Sequence, residues 1–172
     1  MITRVLSAGP LSWLQGYEWA LQAIRVAIDS GATCEYRIVG KGEHLDALCF
    51  ARHELGLVAN VELRLEHAEP EELRRHLKWA DVYLDAAVAR GANGVAAQAL
   101  KMGVPVVATD RTRLPEAADA IVVPRRDPAA MGAAIARLAR PGYTPFASAT
   151  SAASSSMVTS RPRSLTRSSR PR

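Results

Sequence analysis

The chain has 172 residues, 48% apolar and 23% charged, a globular balance with room for one ordinary domain, or one domain plus a tail. Aromatics are only 5%, so Ala, Leu and Val must build the core. No run of eighteen apolar residues exists, so no membrane-spanning helix is expected.

Met1 to Gly9 is too short and too polar for a secretory signal. Cys34 and Cys49 are too few for a disulfide framework or a four-thiolate zinc site, and read as small buried apolar residues. A cytoplasmic chain is the expectation.

The net charge of +5 is unevenly placed. Residues 1–140 hold seventeen basic and seventeen acidic residues, and Arg161, Arg163, Arg167, Arg170 and Arg172 supply the whole excess. No specific nucleic-acid-binding face on the body follows from this charge.

Strand and helix signals alternate through the body. Ile2–Leu6 predicts a first strand, followed by Ser7-Ala8-Gly9-Pro10. Ser12 then opens a helix, with Gln15 at capping-box spacing. Tyr17, Leu21, Ile24 and Ile28 form its apolar stripe, and Gly31 ends it. Tyr36–Val39 is the second strand, closed by Gly40-Lys41-Gly42. Leu45, Leu48, Ala51 and Leu55 mark a second helix, stopped at Gly56. Val61–Leu65 is a third strand. A helix from Pro70 buries Leu73, Leu77 and Ala80. Val82–Val88 is the fourth strand, Val95–Met102 a short helix, Val104–Ala108 the fifth strand and Ile121–Val123 the sixth. Pro128–Ala139 is the last helix.

Six strands alternating with helices over short loops predict an α/β fold. It is a single Rossmann-like, doubly wound parallel sheet with helices on both faces. Ligands of such sheets bind beyond the carboxyl ends of the strands. The positions to inspect therefore follow Leu6, Val39, Val88 and Ala108.

Composition changes at Pro141. Residues 141–172 hold nine Ser, four Thr, four Pro, five Arg and no acid. Such a segment cannot bury enough apolar area to offset its ordering entropy, so it reads as a disordered tail after a domain of residues 1–140. A solvated appendage is the plain reading; peripheral contact with RNA or anionic lipid, or out-of-frame translation of a GC-rich gene, are the others.

Glycines at the strand ends draw attention. Arg90-Gly91-Ala92-Asn93-Gly94 runs directly into a helix, whose N-terminus presents free N–H groups to an anion. It is either a phosphate cradle or a tight turn. Gly40-Lys41-Gly42 is not the dinucleotide fingerprint, because it ends the second strand and lacks the third glycine. Catalytic constellations are thin. His44, His53, His67 and His76 show no metal-ligand pairing, and His53 and His76 read as surface residues. Ser7 and Ser12 lack a nucleophile-elbow context. Glu71-Glu72 with Arg74-Arg75 reads as an exposed helix face.

The order of these motifs carries a resemblance. Ser12-Trp13-Leu14-Gln15-Gly16-Tyr17-Glu18-Trp19-Ala20-Leu21 resembles the start of the first helix in the donor-binding domain of retaining GT-B glycosyltransferases of family four. Ile38-Val39-Gly40-Lys41-Gly42 is similar to their Ile-Val-Gly-x-Gly strand end, and Ala80-Asp81-Val82 to their Ala-Asp-Val strand. Residues 87–91 and the run from Gln98 to Val107, which includes Gly103-Val104-Pro105-Val106-Val107, resemble Ser-Glu-Gly-Phe and Glu-Ala-x-x-x-Gly-x-Pro-Val-Val. Leu114-Pro115-Glu116 and residues 122–128 complete a series spanning residues 2 to about 140.

That resemblance implies a nucleotide-diphosphate sugar as donor substrate, with no cofactor and no metal. Cationic side chains and a helix N-terminus would hold the diphosphate. It also implies an acceptor site on a separate N-terminal Rossmann-like domain, which this sequence lacks. The implied nucleotide-sugar residues are Gly9, Gln15, Gly16, Gly40, Lys41, Gly42, Arg90, Gly91, Ala92, Asn93 and Gln98. No catalytic residue is assigned.

Several of these positions depart from the family pattern. The first-loop Arg falls on Pro10, the diphosphate Lys on Gln15, the two Glu on Arg90 and Gln98, and the aromatic on Ala92. Gln98 retains hydrogen-bonding capacity for ribose hydroxyls, whereas Gln15 brings no charge to a phosphate. Arg90 reverses the sign where the sugar is gripped, though its fork suits a diphosphate. The expectation is therefore a glycosyltransferase-like domain, a fragment or degenerate copy that is inactive alone. The alternative is a non-catalytic nucleotide-binding module working with a separate partner protein. Its partner-facing surface is expected to be partly apolar.

Overall fold

The computed structural model describes residues 1–67, 69–90, 94–115 and 120–140. The tail expected over 141–172 lies outside the described residues. Six strands form one parallel sheet: β1 (Ile2–Ala8), β2 (Thr33–Val39), β3 (Val61–Arg64), β4 (Val82–Asp85), β5 (Val106–Thr109) and β6 (Ala120–Val123). Their order is β3-β2-β1-β4-β5-β6. β1 lies beside β2 from Ile2 opposite Thr33 to Ala8 opposite Val39, and beside β4 with Val5 opposite Val82. The chain thus starts mid-sheet, winds outward to β3, returns to β4 and winds out the other way. The reversal between β1 and β4 opens a crevice at their carboxyl ends.

Side-chain alternation explains why both faces are covered. Val5, Tyr36, Ile38, Val82, Leu84 and Val107 point to one face, where they pack with α1 (Tyr17–Asp29), α2 (Leu45–Glu54) and α5 (Pro128–Leu138). Leu6, Val39, Tyr83, Val106 and Ala108 point to the other, where α3 (Pro70–Trp79) and α4 (Val95–Lys101) cover them. α1 and α5 cross closely. A Cβ at Gly132 would lie 2.7 Å from the carbonyl oxygen of Ala23 and 2.7 Å from the Cβ of Val26. Asp127 caps α5 by accepting the Ala130 N–H at 2.9 Å, and Pro128 occupies the first turn.

The Ala80-Asp81-Val82 motif has a structural task at the opposite edge from the crevice. Asp81 accepts the main-chain N–H of Arg4 at 2.9 Å and its guanidinium at 3.1 and 3.0 Å. The Asp81 N–H donates to the Arg4 carbonyl at 2.8 Å. Partial burial pushes the Asp81 carboxyl up, but the hydrogen bonds from Arg4 outweigh it and hold the group below its ordinary value. This clasp sets the register of β1 against β4.

Several sequence expectations are corrected locally. Ser12 makes no side-chain cap; residues Trp13–Gln15 form a separate 3-10 turn, and α1 starts only at Tyr17. Gly16, with φ 66°, ends that turn in the left-handed conformation, which breaks the continuous helix that capping-box spacing implied. β4 ends at Asp85, three residues before the expected Val88. The main chain then turns to follow the 3-10 segment, where the Val88 N–H donates to the Leu14 carbonyl at 3.0 Å. β1 and β2 are longer than their apolar runs, because pairing with each other extends both to seven residues. Cys34 is buried, and burial pushes its thiol up to about 11; Cys49 is only half-buried.

Candidate functional site

The carboxyl edge is assembled by backbone contacts. The Gly9 N–H donates to the Val39 carbonyl at 2.9 Å, the Leu11 N–H to the Lys41 carbonyl at 2.9 Å, and the Gly40 N–H to the Arg64 carbonyl at 2.9 Å. The loops after β1, β2 and β3 are thereby tied in series. A Cβ at Gly42 would lie 2.2 Å from the Leu11 carbonyl oxygen, so that loop tolerates glycine only. Gly16 stands against β4 in the same way, its missing Cβ 2.1 Å from the Ala86 carbonyl oxygen. These glycines bring main chains together; they do not by themselves face a ligand.

Above the tied loops is a cavity of about 300 Å³. Its apolar walls come from the ends of β1 and β2 and from Leu73 of α3 and Val95 of α4. Gly9, Pro10, Gly40 and Lys41 form its floor and rim, and Glu66 and His67, just past β3, supply the remaining polar side chains. The residues after β3 were not among the strand ends singled out from the sequence. The signal was available, since the same rule about carboxyl ends applies to β3.

Behind the cavity a polar network fixes Glu66. The His76 Nε2 lies 3.0 Å from Glu66 Oε1, and its Nδ1 lies 3.4 Å from Arg37 Nη1. Arg37 donates to Glu62 Oε2 at 2.7 Å, and its guanidinium carbon stands 3.9 Å from the centroid of the Trp79 ring. His76 is therefore not the surface residue its helical position suggested: its side chain is 11% exposed. Its place on the buried side of α3, one residue before Leu77, was the overlooked signal. His53 is exposed, as expected.

A second polar group lies beneath the crevice. The Tyr36 hydroxyl donates to Ser7 Oγ at 2.8 Å, and Ser7 Oγ donates to the Leu84 carbonyl at 2.5 Å. Asp85 is buried at the end of β4 and accepts the Ala87 N–H at 3.2 Å. Burial raises its carboxyl above the ordinary value against that hydrogen bond. Thr109 Oγ1 donates to the Ala87 carbonyl at 2.6 Å and steadies the turn after β4. Burial also pushes the Tyr17 hydroxyl well up, and no hydrogen-bond partner meets it among the described residues.

The sequence-derived site residues are only partly brought together. Gly9, Gly40 and Lys41 line the cavity. Gly42 lies in the β2 loop beside it, and Gln15 and Gly16 sit at the amino end of α1, next to the β4 loop. Arg90 is exposed after β4, and Gln98 is half-buried on α4; neither lines the cavity. Gly91, Ala92 and Asn93 lie outside the described residues. Trp13 and Leu14, on the 3-10 turn at the crevice, are 53% and 41% exposed. No cluster of His, Cys, Asp or Glu that could hold a metal ion occurs among the described residues, and no helix there is long and apolar enough to cross a membrane.

The order 3-2-1-4-5-6, with its crevice and cavity at the carboxyl edge, is that of a doubly wound, Rossmann-like α/β domain. A sequence model of the glycosyl transferases group 1 family matches residues 2–140, and the chain belongs to that family. The amylovoran biosynthesis glycosyltransferase AmsK of Erwinia amylovora is 28% identical over 147 residues, covering 80% of this chain and 36% of AmsK. Two solved structures share the fold. One is Anabaena Alr3699/HepE in complex with UDP and glucose, with TM-score 0.67, 15% identity and coverage of 77% of this chain and 37% of that one. The other is the C-terminal domain of the group 1 family protein LpcC of Francisella tularensis, with TM-score 0.66, 16% identity and coverage of 83% and 82%. The chain thus spans little more than a third of AmsK and HepE, and most of the isolated LpcC domain.

Proposed function

We propose that this chain is a donor-binding domain for a nucleotide sugar, with the nucleoside in the cavity beyond β1, β2 and β3 and the diphosphate toward the amino end of α1. The observation that carries this reading is the placement of that cavity. It joins apolar walls, suited to a flat base, to a few polar groups at the carboxyl edge of a doubly wound sheet. Complexes with UDP among proteins of the same fold support it.

In glycosyl transfer the bond between the anomeric carbon and the diphosphate breaks, and negative charge grows on the departing phosphate. The backbone N–H groups opening the thirteen-residue α1 are oriented to receive that charge. Lys41 supplies a cation at the cavity rim. Gln15 adds a hydrogen bond without charge, Gln98 suits ribose hydroxyls, and Arg90 adds a cation beside the β4 loop. With neutral or reversed residues where the family carries charge, the chain by itself binds the donor weakly and does not turn it over. The acceptor belongs on a second, Rossmann-like domain, which would seat against Trp13 and Leu14. A cytoplasmic location, where nucleotide sugars are made, fits this reading. The alternative, a nucleotide-binding module that serves a separate protein without catalysis, rests on the same cavity and on the changed charges.

Thermal denaturation with UDP, GDP and ADP at about millimolar concentration tests the reading, since a ligand bound only by the folded state raises its melting temperature. A rise with at least one nucleotide is expected, without release of sugar from its nucleotide sugar by the chain alone. No shift with any of them would remove the proposal. Sugar transfer on adding a second-domain protein would select the catalytic reading over the module.

A further inference from the structure

The polar wall of the cavity is unusual in being a carboxylate held from behind. Glu66 is the one acidic residue lining it among the described residues. The Arg37 guanidinium can only donate, so His76 Nδ1 opposite it accepts, which leaves the proton on Nε2. That N–H then donates to Glu66 Oε1 at 3.0 Å. Arg37 is itself fixed by Glu62 and by the Trp79 ring. Glu66 is thus positioned by a chain of contacts reaching away from the cavity. A carboxylate has about four acceptor directions, so Oε1 can serve His76 while both oxygens still accept from a ligand.

Resting on the nucleotide reading above, we propose that Glu66 selects the base, and that the base is guanine. The pairing edge of guanine presents two adjacent donors, N1–H and N2–H, which match the two oxygens of one carboxylate. Uracil presents a single N–H between two carbonyl oxygens, and a carboxylate repels both. Adenine and cytosine each place a ring acceptor beside their amino group, which would leave one carboxylate oxygen facing a lone pair. A site built around a hydrogen-bonding group rejects analogues that leave it unpaired. His76 is the positioning residue, and the walls formed by Val39, Leu73 and Val95 are indifferent to the identity of the base.

Calorimetric titration of the full chain with GDP, UDP and ADP tests this, repeated with Glu66→Gln and His76→Phe. GDP should bind about tenfold or more tighter than UDP, the low end for a bidentate base contact because Glu66 is 38% exposed. Glu66→Gln keeps the size of the side chain and can still accept from His76, so melting temperature should be little changed while the GDP preference collapses. His76→Phe should lower the GDP-to-UDP ratio while UDP affinity stays the same, an effect that simple loss of stability would not produce. Equal or tighter binding of UDP or ADP, or a ratio unchanged in Glu66→Gln, would overturn the guanine assignment and leave the nucleotide site standing. Binding of none of the three would overturn both.

Discussion

Gly40 stands so close to Gly9 that a Cβ on Gly40 would lie 1.9 Å from the Gly9 carbonyl oxygen. The obstacle is backbone, which cannot swing aside as a side chain would. Gly40→Ala must therefore separate the β1 and β2 loops, and both line the cavity. We expect a loss of about 2–3 kcal/mol, the upper part of the overpacking range, together with loss of nucleotide binding. Gly103→Ala is the comparison. Gly103 has φ 75° but open space around its missing Cβ, so only the left-handed backbone cost of about 1–2 kcal/mol applies, and binding should persist. Urea denaturation of the two variants, paired with nucleotide titration, checks the contrast. Unaltered binding in Gly40→Ala would show that the loop contact does not shape the site.

Two buried tyrosines should respond with opposite signs to loss of their hydroxyls. Tyr36 donates to Ser7, so Tyr36→Phe removes a made hydrogen bond and should destabilise by about 1 kcal/mol. Tyr17 is buried without a partner among the described residues, so Tyr17→Phe removes a desolvated, unsatisfied group and should stabilise by about 1 kcal/mol or more. Chemical denaturation of each variant reads both. Destabilisation by Tyr17→Phe would mean that the hydroxyl has a partner in solution.

The fold was largely legible because each element announced itself through local chemistry. Pro70 and Pro128 start α3 and α5, and Val5 and Leu6 show by their apolarity that both faces of β1 are covered. What escaped the sequence depended on contacts across the chain. The length of β2 comes from pairing with β1, and the early end of β4 from a bond between Val88 and Leu14. Of the residues expected at the site, Gly9, Gly40 and Lys41 line the cavity. Glu66 and His76 were not found, because they are ten residues apart on a loop and a helix and meet only after α3 folds onto the sheet. The glycines were read as letting backbone approach a phosphate, whereas the groups that approach Gly16, Gly40 and Gly42 in the structure are the protein's own carbonyls.

Asp85 gives the chain a definite dependence of stability on pH. Burial raises its carboxyl above the ordinary 3.8, so the folded state binds this proton more tightly than the unfolded chain does. The resulting stability is fully present below the unfolded value and is lost as pH rises through the folded one. Asp85→Asn cannot ionise, yet its amide oxygen can still accept from the Ala87 N–H. The variant should therefore melt above the wild-type chain by a margin that grows as pH rises above about 4. A margin that is constant with pH would show that Asp85 ionises as easily in the folded chain as in the unfolded one.

Gln15 offers a gain-of-function test of the proposed diphosphate site. It lies immediately before Gly16, at the amino end of α1, and the family resemblance places a diphosphate lysine there. Gln15→Lys would bring a charge-assisted hydrogen bond to the phosphates, worth about 1.5–3 kcal/mol where it is well made. Its entropy and solvation costs reduce that gain, so affinity for a nucleoside diphosphate should rise by about tenfold. Affinity for the corresponding nucleoside, which has no phosphate, should not change. The nucleoside control shows that the gain acts through the phosphates; a general increase in positive charge is told apart because it would also attract inorganic phosphate and weaken steeply with salt. A gain for nucleoside and diphosphate alike would place the phosphates away from α1. A gain confined to the diphosphate would locate them at that helix.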